Sequence, residues 1–205
     1  MKFHDEGIAL LKKYFDLSGE QEEKICAFAA ELLSKNQVVN LISRKDEEHI
    51  YERHILHSLS IAKYADFSKQ ARIMDGGAGG GLPAIPLAVV FPNTQFVMID
   101  SKKKKMDAVA EIIEKTGITN AEVMHSRVEE VNSTFDEAVF RAVAPLPKLV
   151  AWSRKSVKKR IWCLKGGDLK EEKAGVKYKV HQRALSELYD EPFFEEKFLL
   201  SVSFY

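Results

Sequence analysis

Asp75-Gly76-Gly77-Ala78-Gly79-Gly80-Gly81-Leu82-Pro83-Ala84 is the stretch on which the fold turns. Ala71-Arg72-Ile73-Met74-Asp75 leads into it and reads as a short strand; Pro83 to Phe91 follows and reads as a helix. Proline suits a first helical position, because the amide it lacks would have no helical partner there. Strand, glycine turn and helix in that order open an α/β sheet, whose ligands sit in the crevice beyond the strand ends. Glycines permit positive φ and let a ligand come close to the backbone. The helix start adds free amides that attract an electronegative group. Five of the six residues from 76 to 81 are glycine, and a turn by itself needs fewer.

Downstream the chain alternates. Gln95 to Asp100 is an apolar strand ending in an acid, and Lys102 to Thr116 is a helix closed by Gly117. Ala121 to His125 and Glu137 to Arg141 read as strands, Pro145 to Val157 as a helix and Arg160 to Lys165 as a fifth strand. Phe96-Val97-Met98-Ile99 and Ile161-Trp162-Cys163-Leu164 are continuous apolar runs, as parallel strands buried on both faces require. Lys177 to His181 and Phe198 to Phe204 alternate apolar and polar residues, which predicts a terminal antiparallel pair. The whole pattern predicts an α/β fold with a mostly parallel sheet and helices on both faces.

Upstream, residues 1–68 read as helices. One covers Gly7 to Phe15. A second starts at a Ser18/Gln21 capping box and lines up Ile25, Phe28, Ala29, Leu32 and Leu33 on one face. A third runs from Asp46 to Tyr64. The apolar connection Val38-Val39-Asn40-Leu41-Ile42-Ser43 is predicted to pack on the body. The chain thus divides into an N-terminal helical cap over 1–68 and an α/β body over 69–205, together one compact unit.

Two registers of the glycine turn compete. Gly79-x-Gly81-x-x-Ala84 fits the dinucleotide fingerprint, which seats a pyrophosphate. Asp75-x-Gly77-x-Gly79-x-Gly81 fits a turn for S-adenosylmethionine, in which an acid precedes the glycines. Asp100, 21 residues beyond Gly79, suits a ribose diol in either register. Distance from the strand favours the second, since its glycines follow Asp75 at once. Charge agrees. An ammonium and a sulfonium are attracted by a carboxylate, whereas a diphosphate is repelled. A nicotinamide dinucleotide remains the competing cofactor.

The 205 residues suffice for one domain with a real core. With 45% apolar and 30% charged residues, the composition is that of a globular protein and excludes general disorder. The 31 basic and 30 acidic residues give a formal charge of +1, so only the distribution of charge can speak for nucleic acid. That distribution is uneven. Arg141 to Lys165 holds eight Lys or Arg and no acid, and Lys102 to Lys105 adds four more. Cys26 and Cys163 read as reduced thiols. His54 and His57 read as a polar pair at the junction of cap and body, and no metal site is predicted. No targeting or membrane segment is legible, which predicts a cytoplasmic protein.

Several further stretches carry a resemblance. Asn40-Leu41-Ile42-Ser43, Glu52-Arg53-His54-Ile55-Leu56-His57-Ser58, the turn through Leu82-Pro83-Ala84-Ile85-Pro86-Leu87, Asp100-Ser101, Arg127-Val128-Glu129-Glu130, Arg141-Ala142-Val143 and Leu164-Lys165-Gly166 stand in matching order and spacing. In these the chain resembles the glucose-inhibited division protein B family over roughly residues 20–170. Those proteins are bacterial 16S ribosomal RNA guanine-N7 methyltransferases of the small subunit. Gly76, Ala78, Ala84, Lys103 and His57 depart from the family's usual residues.

The resemblance implies a seven-stranded, Rossmann-like methyltransferase sheet with a helical cap, S-adenosyl-L-methionine as cofactor, and 16S RNA or the small ribosomal subunit as partner. It places Gly77 and Leu82 at the cofactor, Asp100 on the ribose, Val128 and Glu129 by the adenine, and Arg141 facing the site. With Asp75, Gly79 and Gly81 from the turn, these form the expected cofactor site. Arg141 is also the expected catalytic positioner. Arg53, His54, Lys155, Lys158, Lys159 and Lys165 are expected to contact RNA. Guanine N7 carries an exposed lone pair, so the reaction needs alignment rather than a general base. A small-molecule methyltransferase, a nicotinamide-dependent oxidoreductase and a non-catalytic RNA-binding protein are the alternatives.

Overall fold

A computed structural model describes residues 2–204, with only the backbone of Glu171. Its strands are β1 (Arg72–Gly76), β2 (Gln95–Asp100), β3 (Ala121–His125), β4 (Phe135–Arg141), β5 (Val157–Gly166), β6 (Val180–Ala184) and β7 (Lys197–Ser203). They form one seven-stranded sheet in the order β3-β2-β1-β4-β5-β7-β6. The first five strands are parallel; β7 enters antiparallel between β5 and β6. The sheet is therefore mixed, and the expected terminal antiparallel couple forms its edge, with the outer strand at Val180–Ala184 rather than Lys177 to His181.

Side-chain alternation explains why β2 reads as one apolar run. Phe96 and Met98 belong to the core on one face, and Val97 and Ile99 to the core on the other. The first core also takes in Phe28, Leu32, Ile55 and Leu59, so the N-terminal helices and the sheet share one interior. The second contains Phe140, Leu149, Ile161 and Leu200.

Helix α1 spans Lys2–Lys12, earlier than its sequence pattern indicated, and buries Gly7, Ile8 and Leu11. Helix α2 spans Gly19–Asn36 and opens on the expected capping box. Gln21 N–H donates to Ser18 Oγ at 3.3 Å, and Ser18 N–H donates to Gln21 Oε1 at 2.9 Å. Buried Asn36 ties down the connection that follows. Its carbonyl accepts from the Leu41 and Ile42 amides at 2.8 and 2.9 Å, and its amide donates to Glu47 at 2.6 Å. Leu41 and Ile42 are buried, as the apolar connection required, but Val38 is 85% exposed.

The third helix is not a single α-helix. It consists of a 3-10 turn (Arg44–His49), a π-helical segment (Ile50–Leu56), α3 (His57–Leu59) and a second 3-10 turn (Ser60–Lys63). The His57 amide reaches back to the Glu52 carbonyl, five residues away, which widens the turn. Helix α4 (Ala84–Val90) begins after Pro83, whose preceding peptide bond is cis. Helices α5 (Lys103–Thr116) and α6 (Leu146–Ser153) complete the main layers, with a short α7 (Lys170–Lys173). Helix α6 is shorter than its pattern because β5 already begins at Val157. No helix among the described residues is long and apolar enough to cross a membrane.

Leu32 is fully buried on α2, and its Cδ1 lies where a Cβ on Gly80 would come within 3.1 Å. Leu32→Ala is expected to lower unfolding free energy by about 2–5 kcal/mol. Urea unfolding followed by circular dichroism checks this; a loss below about 1 kcal/mol would show that the helices pack only loosely on the turn.

Candidate active site

Two carboxylates shape the glycine turn. Asp75 lies inside β1, fully buried, and its Oδ2 accepts from the Ala84 amide at 3.0 Å. Thus a side chain satisfies the first amide of α4, ahead of which Pro83 sits. The other oxygen, Oδ1, is buried and has no partner. Burial pushes the Asp75 carboxyl up from 3.8 to about 7, against the Ala84 hydrogen bond and the nearby Arg141 charge. Asp100 stands at the tip of β2. Its Oδ2 accepts from the Gly79 amide at 3.1 Å and its Oδ1 from the Lys102 amide at 2.8 Å.

The glycines divide by role, which corrects the view that packing needs few of them. A Cβ on Gly76 would lie 2.3 Å from the Phe140 ring, and one on Gly81 would lie 2.4 Å from Ile85. One on Gly80 would crowd Leu32 and Leu41 at 3.1 Å. Gly79 differs. It has φ +57°, and its Cβ would meet nothing closer than 3.9 Å. Only here does the turn leave open space beside a left-handed residue.

Beyond the strand tips lie two adjoining cavities. The first, about 320 Å³, is lined by Gly77, Asp100, Ser101, Val128 and Glu129, together with Ser126, Arg127, Ala142, Val143, Lys148 and Trp152. The second, about 390 Å³, is lined by Asp46, Arg53, His54, His57, Arg141, Ala142, Leu164, Lys165, Gly166, Phe193 and Lys197. Ala142 lines both, and it holds φ +54° without being glycine. Strained backbone of this kind persists where the surroundings enforce it, commonly at functional sites.

The second cavity is built by the widened helix and the end of β4. Arg141 donates to His54 Nδ1 at 2.9 Å and to the Arg53 carbonyl at 3.4 Å. Burial and the Arg141 charge push His54 down to about 3, and burial holds His57 well below its usual value. Both imidazoles are therefore neutral near pH 7. Since Arg141 can only donate, His54 carries its proton on Nε2. Arg53 pairs with Asp46 at 2.7 Å and lies 5.8 Å from the centre of the Phe193 ring.

The expected residues distribute unevenly. Gly77, Asp100, Val128 and Glu129 line the first cavity; Gly79 is fastened to Asp100 at its edge. Asp75, Gly81 and Leu82 do not line it. Asp75 and Leu82 are buried beneath the turn, and Gly81 packs against Ile85. Arg141, Arg53, His54 and Lys165 line the second cavity instead. Lys165 is already engaged, donating to the Ala144 carbonyl at 2.5 Å and pairing with Glu172 at 2.9 Å. Lys155, Lys158 and Lys159 are not brought to either cavity. Lys158 and Lys159 sit at the start of β5 and Lys155 in the turn before it, whereas Lys165 is at the far end, so a strand of about 3.3 Å per residue separates them. The sequence reading missed Asp46, Phe193 and Lys197. Phe193 and Lys197 lie beyond the resembling stretches, and Asp46 was read only as the start of the third helix.

Residues 21–193 match the family described as rRNA small subunit methyltransferase G. The chain belongs to this family. It is similar to the Ribosomal RNA small subunit methyltransferase G of Bacteroides fragilis, strain YCH46, at 40% identity over 97% of this chain and 93% of that protein. It is likewise similar to the protein of the same name from Chlorobium limicola, at 40% identity over 84% of this chain and 82% of the other. Among solved structures, an S-adenosylmethionine-dependent methyltransferase from Aquifex aeolicus has the same fold. The TM-score is 0.54 at 15% identity, covering 72% of this chain and 89% of that one.

The cofactor of the family, S-adenosylmethionine, fits the residues present. The open space at Gly79 and the strand-tip acid Asp100 suit a ligand carrying a diol.

Asp75 also sets a pH dependence. Its folded pKa lies above its unfolded value, so its contribution to stability is fully present below about pH 3.8 and is lost as pH rises through about 7. Relative to wild type, Asp75→Asn is expected to gain stability progressively between those two values, by at least about 1 kcal/mol. Urea midpoints across the range check this; a constant offset would show that Asp75 does not titrate there.

Proposed function

We propose that this chain methylates N7 of a guanine in 16S ribosomal RNA of the small subunit, in the cytoplasm. One observation carries the reading: Ala142 joins a cavity bearing the strand-tip acid Asp100 to a second cavity lined by Arg53, Arg141, Lys165 and Lys197. The first suits a nucleoside cofactor; the second suits a base on an anionic backbone.

Bound S-adenosylmethionine supplies an electrophilic methyl group. The residues of the chain do the rest by holding and orienting. We assign Gly77, Gly79, Asp100, Val128 and Glu129 to the cofactor. Asp75, Gly81 and Leu82 support the turn from below. Arg141, locked on His54 and the Arg53 carbonyl, positions the base. His54 and His57, both neutral, add no repulsion to a purine that becomes positive. Because N7 already has a free lone pair, alignment is the main task, and such alignment can supply several kcal/mol of rate enhancement. The helical segment over 1–68 acts as the cap that carries Arg53 and His54 to the strand tips.

Incubation with tritiated S-adenosylmethionine and small-subunit particles lacking the modification is expected to label 16S RNA. No label would overturn the reading. Gly79→Val is expected to weaken S-adenosylhomocysteine binding at least about 100-fold, through a branched side chain in the open space and strain at positive φ. Calorimetric titration checks this, and unchanged affinity would remove Gly79 from the site.

A further inference from the structure

The second cavity has a polarity that its basic lining alone does not explain. Four of its lining residues, Arg53, Arg141, Lys165 and Lys197, carry positive charge, and Asp46 is the one carboxylate among them. Three buried polar atoms on the lining residues have no partner: Arg53 Nε, His54 Nε2 and His57 Nε2. Asp46 Oδ1 is held by Arg53 at 2.7 Å, and its side chain is 29% exposed. Arg53 itself rests near the Phe193 ring, so the carboxylate is anchored rather than free to sweep the surface.

We propose that Asp46 reads the target guanine, accepting hydrogen bonds from its N1–H and its 2-amino group. This rests on the methyltransfer reading above and adds the residue that selects the base. Guanine offers two adjacent donors on that edge and an acceptor, O6, beside them. A carboxylate matches the donors, and the His54 Nε2–H is a donor of the kind O6 needs. Adenine reverses both polarities: its N1 is an acceptor facing a carboxylate, and its 6-amino group is a donor facing a donor. A site that leaves buried polar groups unpaired with the wrong base rejects it strongly.

Charge gives Asp46 a second role. When N7 donates its lone pair to the methyl carbon, the carbon–sulfur bonding pair stays on sulfur. The unit of positive charge thereby passes to the purine. Every other charged group lining the cavity is a cation and opposes that change. Asp46 is placed to favour it, and its contact with N1–H strengthens as that proton becomes more acidic. Stabilisation of charge that develops only during reaction accelerates the step itself.

The test compares guanine with inosine, which lacks the 2-amino group but keeps N7, O6 and N1–H. The guanine that wild-type enzyme labels is mapped and then replaced by inosine through splinted ligation of the 16S RNA, followed by assembly into particles. Wild-type enzyme is expected to prefer guanine about tenfold in kcat/KM, as loss of a hydrogen bond to a charged group implies. Asp46→Asn is expected to transfer more slowly and to lose that preference. Its Oδ1 can still accept from Arg53, and its S-adenosylhomocysteine affinity by calorimetry is expected to be unchanged. Equal preference for guanine in both enzymes, or a wild-type rate in the variant, would overturn the proposal. If the variant does not fold, the wild-type ratio decides alone: a ratio near one overturns it. Failure of wild type to label guanine at all sinks the methyltransfer reading and this proposal with it. Equal label on guanine and inosine sinks only the role of Asp46.

Discussion

Two carboxylates hold one glycine turn, and the rest of the site depends on their grip. Asp75 takes the first amide of α4 from inside β1, and Asp100 takes the Gly79 amide from the tip of β2. Each ties an amide in the turn or at its helical end to a strand that the sheet already holds rigid. A loop this rich in glycine would otherwise sample many conformations, and ordering each residue costs about 1–2 kcal/mol of entropy. Burying a carboxylate is itself unfavourable, which shows in the raised pKa of Asp75. The structure accepts that cost at the place where the glycine turn is fixed.

The same economy of position governs the second cavity. The widened helical turn brings Arg53, His54 and His57 towards the end of β4, where Arg141 fastens to His54. Burial keeps the imidazoles neutral, so the positive charge of the cavity comes from Arg and Lys. The cap therefore does more than cover apolar surface. It completes the wall of the second cavity, whereas every residue lining the first lies at position 77 or beyond.

Much of this was legible in the order of residues, and the reasons are local. Continuous apolar runs marked the parallel strands because both faces of such a strand are buried. The Ser18/Gln21 pair marked the start of α2 because its hydrogen bonds span three residues. Gly79 and Asp100 were legible as a pair because a strand–turn–helix–strand unit brings residues some twenty positions apart to one crevice. The widened helix was not legible, since its residues form α-helix equally well on propensity alone. Nor was the sorting of the glycines, because Phe140, Ile85 and Leu41 crowd them from other parts of the chain.

The residue order by itself determined the α/β architecture and the crevice at the glycine turn, since both follow from short-range periodicity and turn chemistry. Tertiary structure alone decided which charges share a cavity. Lys155, Lys158 and Lys159 looked equivalent to Lys165 along the chain, yet the extended length of β5 sets them at its opposite end. Phe193 and Lys197 reach the site from the antiparallel edge, and Asp46 reaches it through its ion pair with Arg53. Such neighbours are set by the sheet order and the packing of the N-terminal helices, and contacts between distant segments leave no periodic trace in the sequence.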